Sequence, residues 1–238
     1  MIEDREIRCI SGDQVDPDLL EIRLLGIVFA LWLELRGVTA LHSTASVFGG
    51  RAAGFLGVNH AGKSTLAAAL SGMGIPLLTD DLLAVDSGGD VLARPAYPQI
   101  RLRRRDAAIL TGEGERWRSL HPRLGKCVIP VGAEFGTFWD QPAPLARLYL
   151  PQRYPALEEV TGLDAVRIEP LPRDEAAMAL VRHAFIPKTI HALELHPHRL
   201  ARVARIVREV PVRRLYYPSG HHHLPRVHDA ILRDLALA

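Results

Sequence analysis

The chain has 238 residues, of which 48% are hydrophobic and 24% are charged, and its formal net charge is +2. This composition is typical of a folded globular protein and excludes a disordered or collagen-like chain. A net charge so close to zero provides no general attraction for nucleic acid, and 6% aromatic residues provide no stacking surface for single strands. The sequence therefore predicts no nucleic-acid partner.

The first predicted helix runs over residues 17–36, with Asp16 as its N-cap and Gly37 after its end. It contains the longest apolar run of the chain, residues 24–33, which is too short to span a bilayer. That run also lies too far from the N-terminus, behind acidic residues, to be a secretory signal. We expect a buried helix, no membrane partner and a cytoplasmic protein.

One short strand and a hairpin are predicted next. Residues 38–41 form a β-type run that ends at His42. Residues 45–48 and 52–56 read as the two strands of a hairpin around the turn at residues 49–51. The second hairpin strand leads directly into a glycine-rich segment and then into an apolar helix, so the pattern is strand, loop and helix.

The glycine-rich segment, residues 57–65, has the sequence GVNHAGKST and matches the complete Walker A pattern. Gly57 and Gly62 allow the tight turns that bring backbone amides close to phosphate oxygens. Lys63 is expected to reach the β- and γ-phosphates, and the Ser64 hydroxyl is expected to bind Mg²⁺. The segment therefore predicts a nucleoside triphosphate site. The predicted binding residues are Gly57, Asn59, His60, Ala61, Gly62, Lys63, Ser64 and Thr65.

Two adjacent carboxylates, Asp80 and Asp81, end the next strand candidate, residues 76–79. They follow Lys63 by fewer than twenty residues, so their strand can lie close to the strand that feeds the loop. One carboxylate there can order Mg²⁺, and the other can accept the proton of an attacking hydroxyl. Because consecutive strand residues point in opposite directions, both can serve only if the strand ends in a turn. The alternative is that the pair only caps the next element.

His42 and a basic segment are further candidates. His42 can return to the same sheet edge and contact phosphate or the acceptor carboxylate, although a lone histidine can equally be an ordinary structural residue. Residues 101–105 concentrate positive charge, and Arg101 and Arg103 share one face of a predicted strand. They can hold ATP phosphates, the carboxylate of the acceptor or an acidic leader peptide, or they can form a solvated basic edge.

The remaining pattern continues the alternation of strands and helices. Strands are predicted at residues 82–85, 91–93, 145–150, 165–168 and 211–217, and helices at residues 174–183, 193–210 with a break at Pro197, and 227–237. Since no linker is long enough to separate domains, we expect one domain over residues 1–238 with its core at 38–100. Six further histidines match no zinc motif and are predicted to form two surface clusters. These clusters are His191, His196 and His198, and His221, His222 and His223.

Three segments, residues 41–46, 57–65 and 77–81, together resemble the catalytic core of the HPr serine kinase family. Within that family the chain looks most like the short HPr kinase-like proteins found as lasso-peptide precursor kinases. The resemblance spans roughly residues 20–235, and only these three segments are specific. Asn59-His60 stands where the family more usually has a small Ser-Gly pair, and the separate N-terminal domain of full HPr kinases has no counterpart, so HPr itself is not the expected acceptor.

The resemblance implies an α/β fold with a mixed β-sheet around the phosphate loop, related to phosphoenolpyruvate carboxykinase. It also implies phosphorylation of a serine hydroxyl with ATP and Mg²⁺ as cofactors. His42 matches the active-site histidine of the family, and Asp80 and Asp81 match its paired aspartates, one of which is the base. Lys126 falls where similar proteins often carry a lysine near the active site.

We therefore expect a kinase that transfers the γ-phosphoryl group of ATP to a serine of a peptide or small protein, most specifically a lasso-peptide precursor. Asp81 is the preferred base, and Asp80 with Ser64 the preferred metal pair, although the sequence leaves open which aspartate does which. Two rivals remain: a small-molecule kinase, and a non-catalytic nucleotide-gated regulatory module. The oligomeric state is open, and a homo-oligomer is one option.

Overall fold

The computed structural model describes residues 6–10, 14–58, 61–155 and 166–236. The predicted loop residues Asn59 and His60 lie outside the described residues. The helices are α1 (Pro17–Arg23), α2 (Phe29–Leu35), α3 (Lys63–Gly72), α4 (Arg104–Thr111), α5 (Arg173–Arg182), α6 (Pro187–Ala192), α7 (His196–Glu209) and α8 (Leu224–Asp234). The strands are β1 (Thr39–Phe48), β2 (Arg51–Leu56), β3 (Leu77–Thr79), β4 (Leu82–Asp86), β5 (Leu92–Arg94), β6 (Gln99–Arg103), β7 (Ser119–His121), β8 (Lys126–Pro130), β9 (Ala143–Tyr154), β10 (Arg167–Pro170) and β11 (Val212–Pro218).

The N-terminal helix is confirmed as one continuous rod from α1 to α2, with a π-helical middle over Leu24–Val28. Its start is capped as expected, because the Asp16 carboxylate accepts hydrogen bonds from the backbone N–H groups of Asp18 and Leu19. The apolar run is only partly buried, since Ile27 is exposed. No helix in the described ranges has both the length and the apolar character needed to cross a membrane.

The main sheet is mixed, as expected, and has the strand order β10-β11-β9-β2-β1-β4-β5, with β3 also paired to β1. β9 runs parallel to both β2 and β11, and the other pairs are antiparallel. β5 also pairs with the beginning of β9, so the path from β9 through β2, β1, β4 and β5 returns to β9. These five strands therefore form a closed ring.

The strand that carries His42 is longer than predicted. The separate runs at residues 38–41 and 45–48 are two parts of β1, and His42 lies within the strand and not at its end. The polar residues between the runs do not interrupt the strand because their hydroxyls are satisfied inside the core. Ser43 Oγ donates to the Phe55 carbonyl at 3.0 Å, and Thr44 Oγ1 donates to the Thr79 carbonyl at 2.8 Å.

β3, which ends at the two aspartates, is not the direct neighbour of β2, because β1 lies between them. The same residue of β1, Ala45, faces Gly54 of β2 on one side and Thr79 of β3 on the other. The ten residues of β1 are enough to pair with β2 along one edge and with β3 and β4 along the other. The loop and the aspartates are therefore held by one shared strand.

Helix α3 is packed between the main sheet and a second antiparallel sheet of order β6-β8-β7. Leu66 and Leu70 pack with apolar side chains of the main sheet, such as Phe55. Ala67 and Ala68 face the second sheet, where they pack with Ile100 and its neighbours. Burial on both sides fixes the helix that follows the loop, and so fixes the direction of its N-terminus.

The C-terminal half follows the predicted alternation with two corrections. The helix expected at residues 193–210 begins at His196, and Pro197 lies in its first turn, where proline is tolerated, and does not break it. Residues 187–192, for which no helix was predicted, form α6. The predicted strand at residues 165–168 is found as β10, although residue 165 lies outside the described part of the chain.

Candidate active site

The loop lysine is buried against its own loop. α3 begins at Lys63, as expected for the helix that closes a phosphate loop. Lys63 Nζ donates hydrogen bonds to the carbonyls of Gly57 at 2.7 Å and Val58 at 3.1 Å. Burial lowers the pKa of the Lys63 ammonium to about 8 against the opposing charges of Asp81 and Asp80. The Lys63 ammonium therefore lies against the loop backbone, beside the space that a bound anion would fill.

Asp80 is tied to the loop helix and to the second sheet. Its Oδ1 accepts a hydrogen bond from Ser64 Oγ at 2.9 Å, and its Oδ2 accepts one from the backbone N–H of Arg101 at 2.9 Å. Burial and, after it, the charge of Asp81 raise the pKa of the Asp80 carboxyl, while these two hydrogen bonds lower it. Both of its oxygens are thus fixed by protein donors.

Asp81 differs from its neighbour in backbone and in surroundings. Its φ angle is +76°, in the left-handed region that non-glycine residues seldom adopt, so the chain turns sharply at this residue. Its side chain is 36% exposed and lies 3.3 Å from His42 Nδ1 and 3.6 Å from an Arg101 guanidinium nitrogen. The turn therefore leaves one carboxylate buried beside Ser64 and the other directed towards solvent.

A cavity of about 280 Å³ brings most of the sequence-predicted residues together. Its lining includes His42, Gly62, Lys63, Ser64, Thr65, Asp81, Arg101, Arg103 and Lys126. Arg103 and Lys126 face each other directly across β6 and β8, and Arg101 lies two residues along on the same face. One wall of the cavity is therefore cationic.

The other end of the cavity was not predicted from the sequence. It is lined by Arg153, Tyr217, Gly220, His221 and Leu224. β9 and β11 run parallel to β2, so their carboxyl ends reach the same sheet edge as the loop, where ligands bind in open α/β sheets. The paired strands are far apart in the sequence, so no local sequence pattern predicts this parallel pairing.

The second histidine cluster corrects a prediction. His221, His222 and His223 were expected to be exposed, but His221 lines the cavity and His223 is buried. His221 Nε2 lies 3.3 Å from Asp106 Oδ1 of α4, on the opposite side of the opening. The tight turn at Gly220 directs this segment inwards, which composition alone does not indicate. In the first cluster, the rings of His191 and His196 lie 5.6 Å apart in a tilted arrangement.

His183 is a further residue that the sequence did not single out. The His42 backbone N–H donates to the His183 carbonyl at 2.8 Å, and Leu41 forms an antiparallel bridge with Ala184. The end of α5 is thus hydrogen-bonded to β1 at His42. Burial, then the charges of Lys63 and His42, lower the pKa of the His183 imidazole.

The oxygen atoms beside the loop are chemically suited to Mg²⁺. A hydroxyl and a carboxylate, those of Ser64 and Asp80, lie 2.9 Å apart, and Mg²⁺ typically takes one or two such protein ligands together with substrate phosphates and water. Within the ranges that the structure describes, no group of three or more His, Cys, Asp or Glu side chains is placed to hold a metal. The two-oxygen arrangement is therefore the metal candidate.

Comparisons with solved structures show distant likenesses, of which one is described here. No protein-family profile matches the chain, and no curated protein sequence matches it. A solved structure described as the Hpr(Ser) kinase/phosphatase from Coxiella burnetii is similar over 83% of this chain and 96% of that chain, with 15% sequence identity and a TM-score of 0.43. Because a likeness of this degree carries no information about chemistry, the chemistry is inferred from the side chains of the cavity.

Proposed function

We propose that this protein is an ATP-dependent kinase that phosphorylates a serine hydroxyl of a peptide or small protein. The proposal rests mainly on one observation: the two adjacent carboxylates beside the loop differ in their exposure and in their partners. Asp80 is 7% exposed and bonded to Ser64, whereas Asp81 is 36% exposed and contacts His42. One carboxylate suits a metal ion, and the other is accessible to an acceptor.

In this proposal the triphosphate lies on residues 57–65, with the N-terminus of α3 directed at the phosphate groups. Ser64 and Asp80 would hold Mg²⁺, which, when bound, neutralises phosphate charge as it builds up during transfer. Lys63 exchanges its carbonyl partners, Gly57 and Val58, for phosphate oxygens of the nucleotide. The hydrogen bonds that Lys63 loses to the two carbonyls are replaced by charge-assisted hydrogen bonds to phosphate oxygens.

Asp81 is the proposed general base. The acceptor hydroxyl oxygen forms a bond to the γ-phosphorus while the bond from that phosphorus to the β,γ-bridging oxygen breaks, and ADP leaves. The hydroxyl proton passes to the Asp81 carboxylate. His42 and Arg101, at 3.3 and 3.6 Å, keep that carboxylate oriented towards the acceptor. The basic wall of Arg101, Arg103 and Lys126 then orients the incoming substrate or its phosphate.

The finer substrate assignment is a lasso-peptide precursor. It is supported by the three motif segments at residues 41–46, 57–65 and 77–81, which resemble kinases of that kind. An acceptor on a flexible peptide also fits a base that lies in a solvent-exposed position. The rival assignments are a kinase of small metabolites, which would enclose its acceptor, and a nucleotide-gated regulatory module, which would bind ATP without phosphoryl transfer.

The test is phosphoryl transfer to serine-bearing precursor peptides with Mg-ATP, followed by mass spectrometry of the peptide. Wild type is compared with Asp81→Asn, and Asp90→Asn, which changes an exposed turn residue, is the matched control. We expect phosphopeptide from wild type and the control, and a rate lower by about 10²–10⁴-fold for Asp81→Asn. Transfer to a free metabolite alone, or ATP binding with no transfer, would favour one of the two rivals.

A further inference from the structure

The cavity has two chemically different ends, and only one is used by the proposed phosphoryl transfer. At the first end, Lys63, Ser64 and Asp81 meet the basic wall of Arg101 and Lys126. This is where the γ-phosphate and the acceptor belong if the proposed function is right, and the present inference rests on that function. Arg153 of the second end lies 3.2 Å from the Cβ position of Gly62, so this end adjoins the loop and offers space for the nucleoside of the donor.

The second end has an apolar floor. Tyr217 of β11 and Leu224 of α8 are both buried, and they belong to the same core cluster as Leu66 of α3. Both residues also line the cavity. An apolar floor at the base of a polar cleft is typical of sites that bind flat organic groups.

The tight turn at Gly220 positions the residues above this floor. Gly220 has φ +128° and ψ 138°, a conformation essentially restricted to glycine, and a Cβ there would lie 2.7 Å from His222 Cε1. The turn places the His221 ring at the opening of the cavity, where its Nε2 lies 3.3 Å from Asp106 Oδ1. His221 and Asp106 thus face each other across the second end.

One polar group at this end suits a base. Asp106, whose Oδ1 lies 3.8 Å from Arg105 Nε, places a carboxylate at the cavity, and a carboxylate accepts hydrogen bonds from amino groups. The His221 imidazole is a flat aromatic surface of the type on which bases stack. Arg153, whose guanidinium carbon lies 3.2 Å from the Cβ position of Gly62, stands between this end and the loop.

We propose that this second end binds the nucleoside of the phosphoryl donor, with the base against the ring of His221 and over the floor formed by Tyr217 and Leu224. The Asp106 carboxylate accepts a hydrogen bond from the exocyclic amino group of a purine. The contact between His221 and Asp106 in the ligand-free protein opens when the base enters. The loop supplies affinity for phosphate, and this end supplies recognition of the base.

Calorimetric titration with two ligands separates the base from the phosphates. In wild type, ATP is expected to bind more tightly than inorganic tripolyphosphate at the same Mg²⁺ concentration. His221→Ala is expected to weaken ATP binding about tenfold and to leave tripolyphosphate binding unchanged. His228→Ala, on α8 beside Asp229 and outside the lining of the cavity, is the control and should change neither. Unchanged tripolyphosphate binding also reports that the variant is folded.

The role of Asp106 is tested with purine riboside 5′-triphosphate, which lacks the exocyclic amino group of ATP. Asp106→Ala is expected to weaken ATP binding about tenfold and to leave binding of the purine analogue unchanged. Equal losses for ATP and tripolyphosphate in either variant, or no loss of ATP binding in both, would overturn the inference. If wild type bound tripolyphosphate as tightly as ATP, the proposed base site would be wrong, but the proposed phosphate site at residues 57–65 would not be affected. If it bound neither ligand, the proposed function itself would fail.

Discussion

At the scale of single residues, the backbone of Asp81 decides what the acidic pair can do. Had the strand continued, Asp80 and Asp81 would point to opposite faces of the sheet. Instead Asp81 lines the cavity, and Asp80 accepts a hydrogen bond from the cavity residue Ser64. The left-handed turn at Asp81 ends β3, and the Ser43 backbone N–H donates to the Asp81 carbonyl at 3.1 Å, which holds the turn. The strain of that conformation is therefore offset by a bond to the neighbouring strand.

Lys63 gives a prediction on pH. Since its pKa is about 8 in the ligand-free protein, the ammonium is charged below that pH and neutral above it. ATP binding that requires the cation should then weaken above pH 8, by up to tenfold per pH unit. Titration calorimetry between pH 6.5 and 10 measures this, and Lys63→Arg, whose cation does not titrate, should show no such loss. A wild-type affinity that stays constant to about pH 10 would contradict it.

The lowered pKa of Lys63 also affects the stability of the folded protein, which changes with pH in the opposite direction to ATP affinity. The ordinary lysine value of 10.5 applies to the unfolded chain, so between pH 8 and 10.5 the folded protein holds fewer protons at Lys63 than the unfolded chain. Stability of the ligand-free protein therefore rises with pH through that window as far as this group is concerned. Burial of the loop lysine destabilises the empty protein at neutral pH, and a bound anion would remove that cost.

At the scale of elements, close contact between strands leaves no room for a side chain at Gly54 of β2. A Cβ at this position would lie 2.7 Å from Leu148 Cδ2 and 2.9 Å from Leu83 Cδ2. We expect Gly54→Ala to lower the free energy of unfolding by about 1–3 kcal/mol, as overpacking does. Urea denaturation measures the change. Gly89→Ala, in an exposed turn with no atom within 4 Å, is the control, and equal effects for both would count against this packing argument.

The elements that could be predicted are those whose information is local. The hairpin of β1 and β2, the helix after the loop and the strand ending at Asp80 all have short-range patterns of period and turn residues. The continuity of β1 could not be predicted, because the hydroxyls of Ser43 and Thr44 suggest an interruption until their carbonyl partners are known. The polar residues were misleading because their hydroxyls form hydrogen bonds inside the sheet.

The candidate site divides in the same way. The loop, the aspartates and His42 lie within about 40 residues of one another and carry recognisable spacing. Arg153, in β9, and His221, just after β11, are distant in sequence and reach the cavity because β9 and β11 run parallel to β2. A sequence shows the phosphate end of such a site far more readily than the end for the base, because no fixed motif encodes the latter.

At the scale of the whole molecule, a buried ion cluster joins the N-terminal helix to the C-terminal half. Glu34 of α2 is fully buried, and its carboxylate lies 3.1 Å from Arg199 and 2.7 Å from Arg202 of α7. The same carboxylate accepts a hydrogen bond from the Ala40 backbone N–H of β1 at 2.9 Å. Three elements, one of them the strand of His42, thus depend on one side chain.

Removing that carboxylate should therefore destabilise the protein strongly. Glu34→Ala would leave the Arg199 guanidinium buried without its counterion, which typically costs about 3–5 kcal/mol. Thermal and urea unfolding measure the loss. The control is Glu209→Ala, which removes an exposed partner of Arg205 and should cost at most about 1 kcal/mol. A loss for Glu34→Ala as small as that of the control would show that the cluster is not required for stability.

The closed ring of β9, β2, β1, β4 and β5 has a consequence for how the molecule opens over time. Each strand of the ring pairs on two sides, whereas β10 ends the strand order and, within the described ranges, pairs only with β11. Amide hydrogens of β1 should therefore exchange with solvent only in the rarest openings, and those of β10 much sooner. His42 lies in the slow part, while α4 and the segment after β11 are attached outside the ring. Ligand entry can then proceed through local opening of those outer segments, while the strand that carries His42 stays closed.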